Sequence, residues 1–149
     1  MKTTLVVVAD IGRFKAFKLE NNHLNRTPHL ELVEEFDNAA AHEKLADKVT
    51  DLAGRFPRTE SRSHMTNAMS DGERHNLESE IRKRLIRQLA KRLNLLGRSQ
   101  EAERWMLAAS REMNHLLLAE LDPRLRAKIA INIAADLTKS EAGEILRHF

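Results

Sequence analysis

Lys83, Arg84, Arg87 and Lys91 are spaced so that, at about 100° per residue, a helix would gather them on one face. A row of cations on a rigid rod is what contact with successive phosphates requires, and Arg55, Arg58 and Arg62 add positive charge upstream. The chemistry implied is binding of RNA or of the ribosome through its backbone. The simpler account is a solvated helix face, partly neutralised by Glu80 pairing with Arg84 at i, i+4. Five Phe, one Trp and no Tyr leave Phe56 as the stacking candidate, so base readout has little to work with.

Other chemistry is thinner. Asp10 closes the apolar run 5–9, where ribonuclease-H-like nucleases hold a metal-binding carboxylate. Two-metal catalysis needs several carboxylates around ions about 4 Å apart. Asp37, Asp51 and Asp136 fall near element ends, with no spacing that brings them together. Asp10 is more simply a turn residue before Gly12. There are seven histidines, but His42-Glu43 lacks a second His four residues on, and His64 and His75 have no third ligand at a recognisable spacing. No G-x-S-x-G elbow, Walker loop or G-x-G-x-x-G fingerprint occurs, so neither a catalytic site nor a cofactor site is expected.

The elements that would position these residues are legible in the apolar pattern. Leu5 to Ala9 is an uninterrupted apolar run, expected of a strand covered on both faces. Asp10-Ile11-Gly12-Arg13 supplies a turn, and Phe14, Ala16 and Leu19 return as a second strand. Leu30, Leu32 and Phe36 share one parity in a third strand over 29–36, reached by a loop over 21–28. A short helix over 40–52 follows, and then a loop, 54–72, without either period.

Ser70 and Glu73 have capping-box spacing for a long helix, and Gly97 reads as its C′ residue. Arg82 and Arg92 flank the apolar stripe Leu77, Ile81, Leu85, Leu89, Leu93 and Leu96. Residues 105–110 form a buried strand, parallel to the first because the long helix bridges them. A helix over 112–121, a helical turn at Pro123, a strand over 127–134 and a closing helix capped by Thr138 and Glu141 complete the chain. The expectation is one α/β domain, 1–149, with a mixed five-stranded sheet flanked by helices.

Composition narrows the class. With 42% hydrophobic and 32% charged residues the chain reads as globular and water-soluble, and with no cysteine it suits a reducing compartment. No apolar run approaches a membrane span, and the run 5–9 is too short for a signal peptide, so the cytoplasm is expected. Residues 51–98 hold 11 basic and 6 acidic side chains, whereas 1–50 and 99–149 each hold 7 basic and 8 acidic. The excess positive charge is therefore confined to the segment that contains the candidate ridge.

Several stretches together resemble the bacterial host-attachment family, also described as a bacterial branch of the archaeo-eukaryotic release-factor-like proteins. They are VVVADIGRFKAF, Gly54-Arg55 with His64-Met65, WMLAAS, and LLLAELDPRLRAKIAINIAADLTKSEAGEILRHF. The resemblance implies a ribonuclease-H-like sheet like that of the release-factor middle domain. It also implies one of two roles: attachment to host cells at or through the cell surface, or RNA and ribosome contact. The peptide-releasing Gly-Gly-Gln loop of release factors has no counterpart here. The reading is a non-enzymatic binding module with a ribonuclease-H-like nuclease as a further alternative.

Overall fold

The computed structural model describes residues 3–21, 27–37 and 71–149, with side chains in the last stretch described from residue 75. The expected helix over 40–52, most of the loop over 54–72, and Ser70 lie outside the described residues. The sheet begins with β1 (Thr4–Asp10), β2 (Arg13–Asn21) and β3 (Pro28–Asp37). Helix α1 (Asp71–Ser99) leads into β4 (Arg104–Ala109), α2 (Asn114–Glu120), α3 (Pro123–Lys128), β5 (Ile129–Ala134) and α4 (Ala142–His148). The strand order is β3-β2-β1-β4-β5, with β2 antiparallel to β1 and β3, and with β4 parallel to β1 and β5. This is the expected mixed five-stranded sheet, and its order is compatible with a ribonuclease-H-like arrangement.

β1 lies in the middle for the reason its composition suggests. Leu5 to Ala9 are all fully buried, the odd residues on one face and the even on the other. Leu5, Val7 and Ala9 meet Leu85, Ile86, Leu89, Leu93 and Leu96 of α1, together with Trp105, Leu107, Leu117 and Leu125. Val6 and Val8 join Phe17, Met106, Leu137 and Ile145 on the opposite face, where α4 packs. Each large side chain so buried contributes roughly 1.5–3 kcal/mol. The hairpin that aligns β2 turns at Ile11-Gly12, and Gly12 has φ 82°, a left-handed conformation that favours glycine.

Both outer strands depart from strict alternation. Leu30, Leu32 and Phe36 do not share a face, because a register shift opposite Ala16/Phe17 leaves Val33 as an extra residue. Phe36 and Val33 pack toward α1, Leu30 packs on the other side, and Leu32 remains half exposed. The isoleucines of β5 divide in the same way. Trp105 pairs with Ile129 and Met106 with Ile131, so Ile129 turns to the α1 side while Ile131 and Ile133 turn to the α4 side.

Two expected caps are replaced. Helix α1 begins at Asp71, where the Ser70–Glu73 spacing predicts its first residue although the expected loop reaches 72, and runs through Gly97 rather than ending before it. A Cβ on Gly97 would stand 3.3 Å from Leu125 Cδ1, so the glycine lets α3 approach α1 closely. The Leu96 carbonyl at the helix end accepts bonds from the Gln100 amide (2.9 Å) and the Ser99 hydroxyl (3.1 Å). Thr138 and Glu141 form no capping box. Instead Asp136 Oδ1 accepts from the Thr138 amide at 3.0 Å and from its hydroxyl at 2.6 Å, and Glu141 occupies the N-cap without a side-chain bond. Smaller shifts of boundary place Ser110 just beyond β4, start α2 at Asn114, and give residues 127–128 to α3.

Candidate functional site

The outward side of α1 is the surface that the sequence singles out. Its geometry follows from helical spacing: burying Leu85, Leu89, Leu93 and Leu96 against the sheet turns Lys83, Arg84, Arg87 and Lys91 to solvent, and all four are exposed. Arg55, Arg58 and Arg62 lie outside the described residues, as does Phe56. The ridge is less uniformly basic than its sequence. Lys83 Nζ is 3.8 Å from Glu80, which thus pairs at i, i+3 rather than with Arg84, and Arg87 Nε is 3.8 Å from Glu120 on α2. Such exposed pairs contribute roughly 0–1 kcal/mol, too little to lock either cation against a competing phosphate. Among the described residues Arg84 and Lys91 have no carboxylate within ion-pair distance.

Arg82 and Arg92, on the flanks of the apolar stripe, take structural roles. Arg82 reaches Glu112 at 3.6 Å, tying α1 to the segment that enters α2. Arg92 reaches Glu34 at 3.4 Å and lies 5.3 Å from the centre of the Phe36 ring. Phe36 in turn stacks on Phe14, with ring centres 5.8 Å apart. This series of contacts runs from α1 to β3 and β2, so neither flanking arginine belongs to the contact surface.

The tertiary fold adds residues that spacing alone does not single out. Arg87, Lys91, Asn94, Leu95 and Arg98 line a groove of about 320 Å³ between α1 and α2, with Glu120 on its far side. Arg84, Arg87, Lys91, Asn94 and Arg98 succeed one another at alternating three and four residues, so Arg98 extends the same row by two turns. That extension was available to a periodicity argument. Glu120 was not, because only the packing of α2 brings it near. Arg98 approaches Asp122 at 3.5 Å, while Asn94 Oδ1 accepts the Asp122 amide at 3.0 Å. Leu95, 49% exposed, adds an apolar side chain to the lining beside the cations.

The carboxylates weighed for metal binding stand apart. Asp10 faces Arg13 across the hairpin, and Arg13 faces Asp37 on the next strand. The two acids are therefore two strands apart, roughly 10 Å between backbones, with a cation between them. Asp136 is committed to Thr138, and Asp51 lies outside the described residues. Among the described residues no three of His, Asp and Glu come together in a way that could hold a metal ion. His29, His75, His115 and His148 are all exposed, and His29 approaches Glu20 at 3.6 Å. His42 and His64 lie outside the described residues.

Among the described residues no helix is long and apolar enough to cross a membrane. The family described as "Protein required for attachment to host cells" matches over residues 5–149, from β1 to the last residue of the chain. No curated protein matches the chain.

Proposed function

We propose that this chain, which belongs to the family of proteins required for attachment to host cells, is a non-enzymatic binding module with the outer face of α1 as its contact surface. RNA, free or in the ribosome, is the proposed partner, and the cytoplasm the proposed place of action. The observation that supports this is the row Arg84, Arg87, Lys91 and Arg98 on one rigid helix, in which Arg84 and Lys91 meet no carboxylate among the described residues. A partner presenting phosphates at regular intervals would exchange the weak contacts of Arg87 and Arg98 for charge-assisted bonds. On this reading the part played in attachment is indirect, through RNA that the module retains.

RNA retention on the purified chain, measured over a salt series, tests the proposal. Binding should weaken as salt rises, with a logarithmic slope of about −0.7 per single-strand phosphate contact. Replacing Lys83, Arg84, Arg87 and Lys91 together by Glu should abolish retention. The milder pair Arg84→Ala and Lys91→Ala, which disturbs no ion pair among the described residues, should flatten the slope. Unchanged retention in both variants, or no retention by the parent chain, removes RNA as the partner.

The family description favours a second reading, in which the module acts in attachment directly at the cell surface. Cell fractionation separates the two. Protein in the surface fraction supports direct attachment, and protein confined to the cytosol supports the RNA-linked role.

A further inference from the structure

The two margins of the sheet are built differently. The outer strand β3 contains Glu31, Glu34, Glu35 and Asp37 and begins with Pro28, which are devices that discourage a further strand from pairing. The other margin, β5, reads IAINIA and has no charge and no proline. A short uncharged strand of high β propensity left open at an edge is a template for pairing with another chain. Among the described residues β5 pairs with β4 alone, so one side of its backbone has no ladder partner.

The segment is also complementary to itself when reversed. Centred on Asn132, an antiparallel pairing of two copies places Asn132 opposite Asn132, Ile131 opposite the second copy's Ile133, and Ala130 opposite its Ala134. One further step on each side brings Ile129 opposite Ala135, just past the strand's last residue. Ile131 and Ile133, the bulky residues beside the axis, thus face one another directly on an uncharged strand. In an antiparallel ladder opposed residues share a face, so Ile131 and Ile133, both only partly buried on the α4 side, would cover one another. The bulge at Ala130 falls at the start of the strand, and Ile131 to Ala134 keep regular register with β4.

We propose that β5 is an interface with a second copy of this chain: an antiparallel β5–β5 ladder about a two-fold axis at Asn132 that joins two five-stranded sheets into one. Such an interface is isologous, and its self-complementarity is what a two-fold demands. The proposal does not depend on the partner of α1, which lies on a different surface.

The test measures mass in solution by sedimentation across a dilution series from micromolar to millimolar chain. The parent chain should pass from monomer to dimer. Ala130→Lys with Ala134→Lys places like charges opposite one another at both seams, and this variant should remain monomeric throughout. Ala130→Glu with Ala134→Lys presents opposite charges in the same register and should restore the dimer. Both alanines are exposed, so the substitutions leave the core alone. Because the chain lacks cysteine, Asn132→Cys gives a single thiol, which mild oxidation should convert to a cross-linked dimer. Asn94→Cys, on α1, should not cross-link. A parent chain that is monomeric throughout, a dimer that the lysine pair fails to dissociate, or an Asn132→Cys variant that does not cross-link each overturns the proposal. Asn132 and buried Asn114 pair their side-chain amides at 2.8 Å in both directions. The Asn132→Cys variant is therefore first matched to the parent by circular dichroism, and if the lysine pair disturbs folding the cysteine result then decides.

Discussion

Gly97 and Gly143 are both helical, but what surrounds them differs, and so do their expected responses to a methyl group. Around Gly143 nothing stands within 4 Å of a new Cβ, so Gly143→Ala should gain roughly 0.5–1 kcal/mol by restricting the unfolded chain. At Gly97 a similar gain is opposed by the 3.3 Å approach to Leu125 Cδ1, so Gly97→Ala should be close to neutral in chemical denaturation. The Asp136–Thr138 turn is the second residue-scale test. Thr138 is 2% exposed, and Asp136 Oδ1 satisfies its amide and its hydroxyl together. Asp136→Ala leaves a buried donor unpaired and should cost about 1–3 kcal/mol, whereas Asp136→Asn, which keeps an acceptor, should cost less.

At the scale of elements, the bulges decide what each outer strand buries. Val33 is the extra residue that allows Leu30 and Phe36, of equal parity, to serve opposite faces of the sheet. Deleting Val33 restores strict alternation and turns one end of β3 the wrong way, taking either Leu30 or Phe36 out of its cluster. The loss should exceed the roughly 1 kcal/mol of an average substitution and appear as a lowered denaturation midpoint. Phe36 also carries the Arg92 contact, so α1 should fray toward β3 in the same variant, with weaker amide protection there. The ridge of α1 was read at this scale too. Its exposure followed from periodicity, while its partial neutralisation by Glu120 depended on where α2 packs.

For the molecule as a whole, the expectation of one domain predicts one cooperative transition. Trp105 is the only tryptophan, 2% exposed, and shares a cluster with α1, β1 and α3. Its fluorescence should therefore report the same unfolding as far-ultraviolet circular dichroism, and coincident midpoints check this. Leu89→Ala, at a fully buried position of α1, should cost about 2–5 kcal/mol of stability and lower both midpoints together. Separate midpoints would divide the chain into more than one folding unit.

Much of the architecture was readable beforehand because β1 and α1 report their surroundings through composition and period alone. An apolar run of five residues has to be covered on both faces, and a stripe at three and four residues has to lie on something. The parallel placement of β4 followed from the length of helix between it and β1. Where the chain instead answered to its neighbours, sequence reading assigned the wrong partner. Gly97 looked like a helix end and is a contact with Leu125, Thr138 looked like a cap and is held by Asp136, and Glu80 meets Lys83 rather than Arg84.

The sequence by itself determined which strand is central, which side of α1 is wet and where the positive charge concentrates, since each depends on patterns within one element. Only the tertiary structure decided which cations find carboxylates, which isoleucines share a face and which strands form the margins of the sheet among the described residues. Those outcomes depend on register and on distances between segments far apart in the chain, and a one-residue bulge is enough to reverse them.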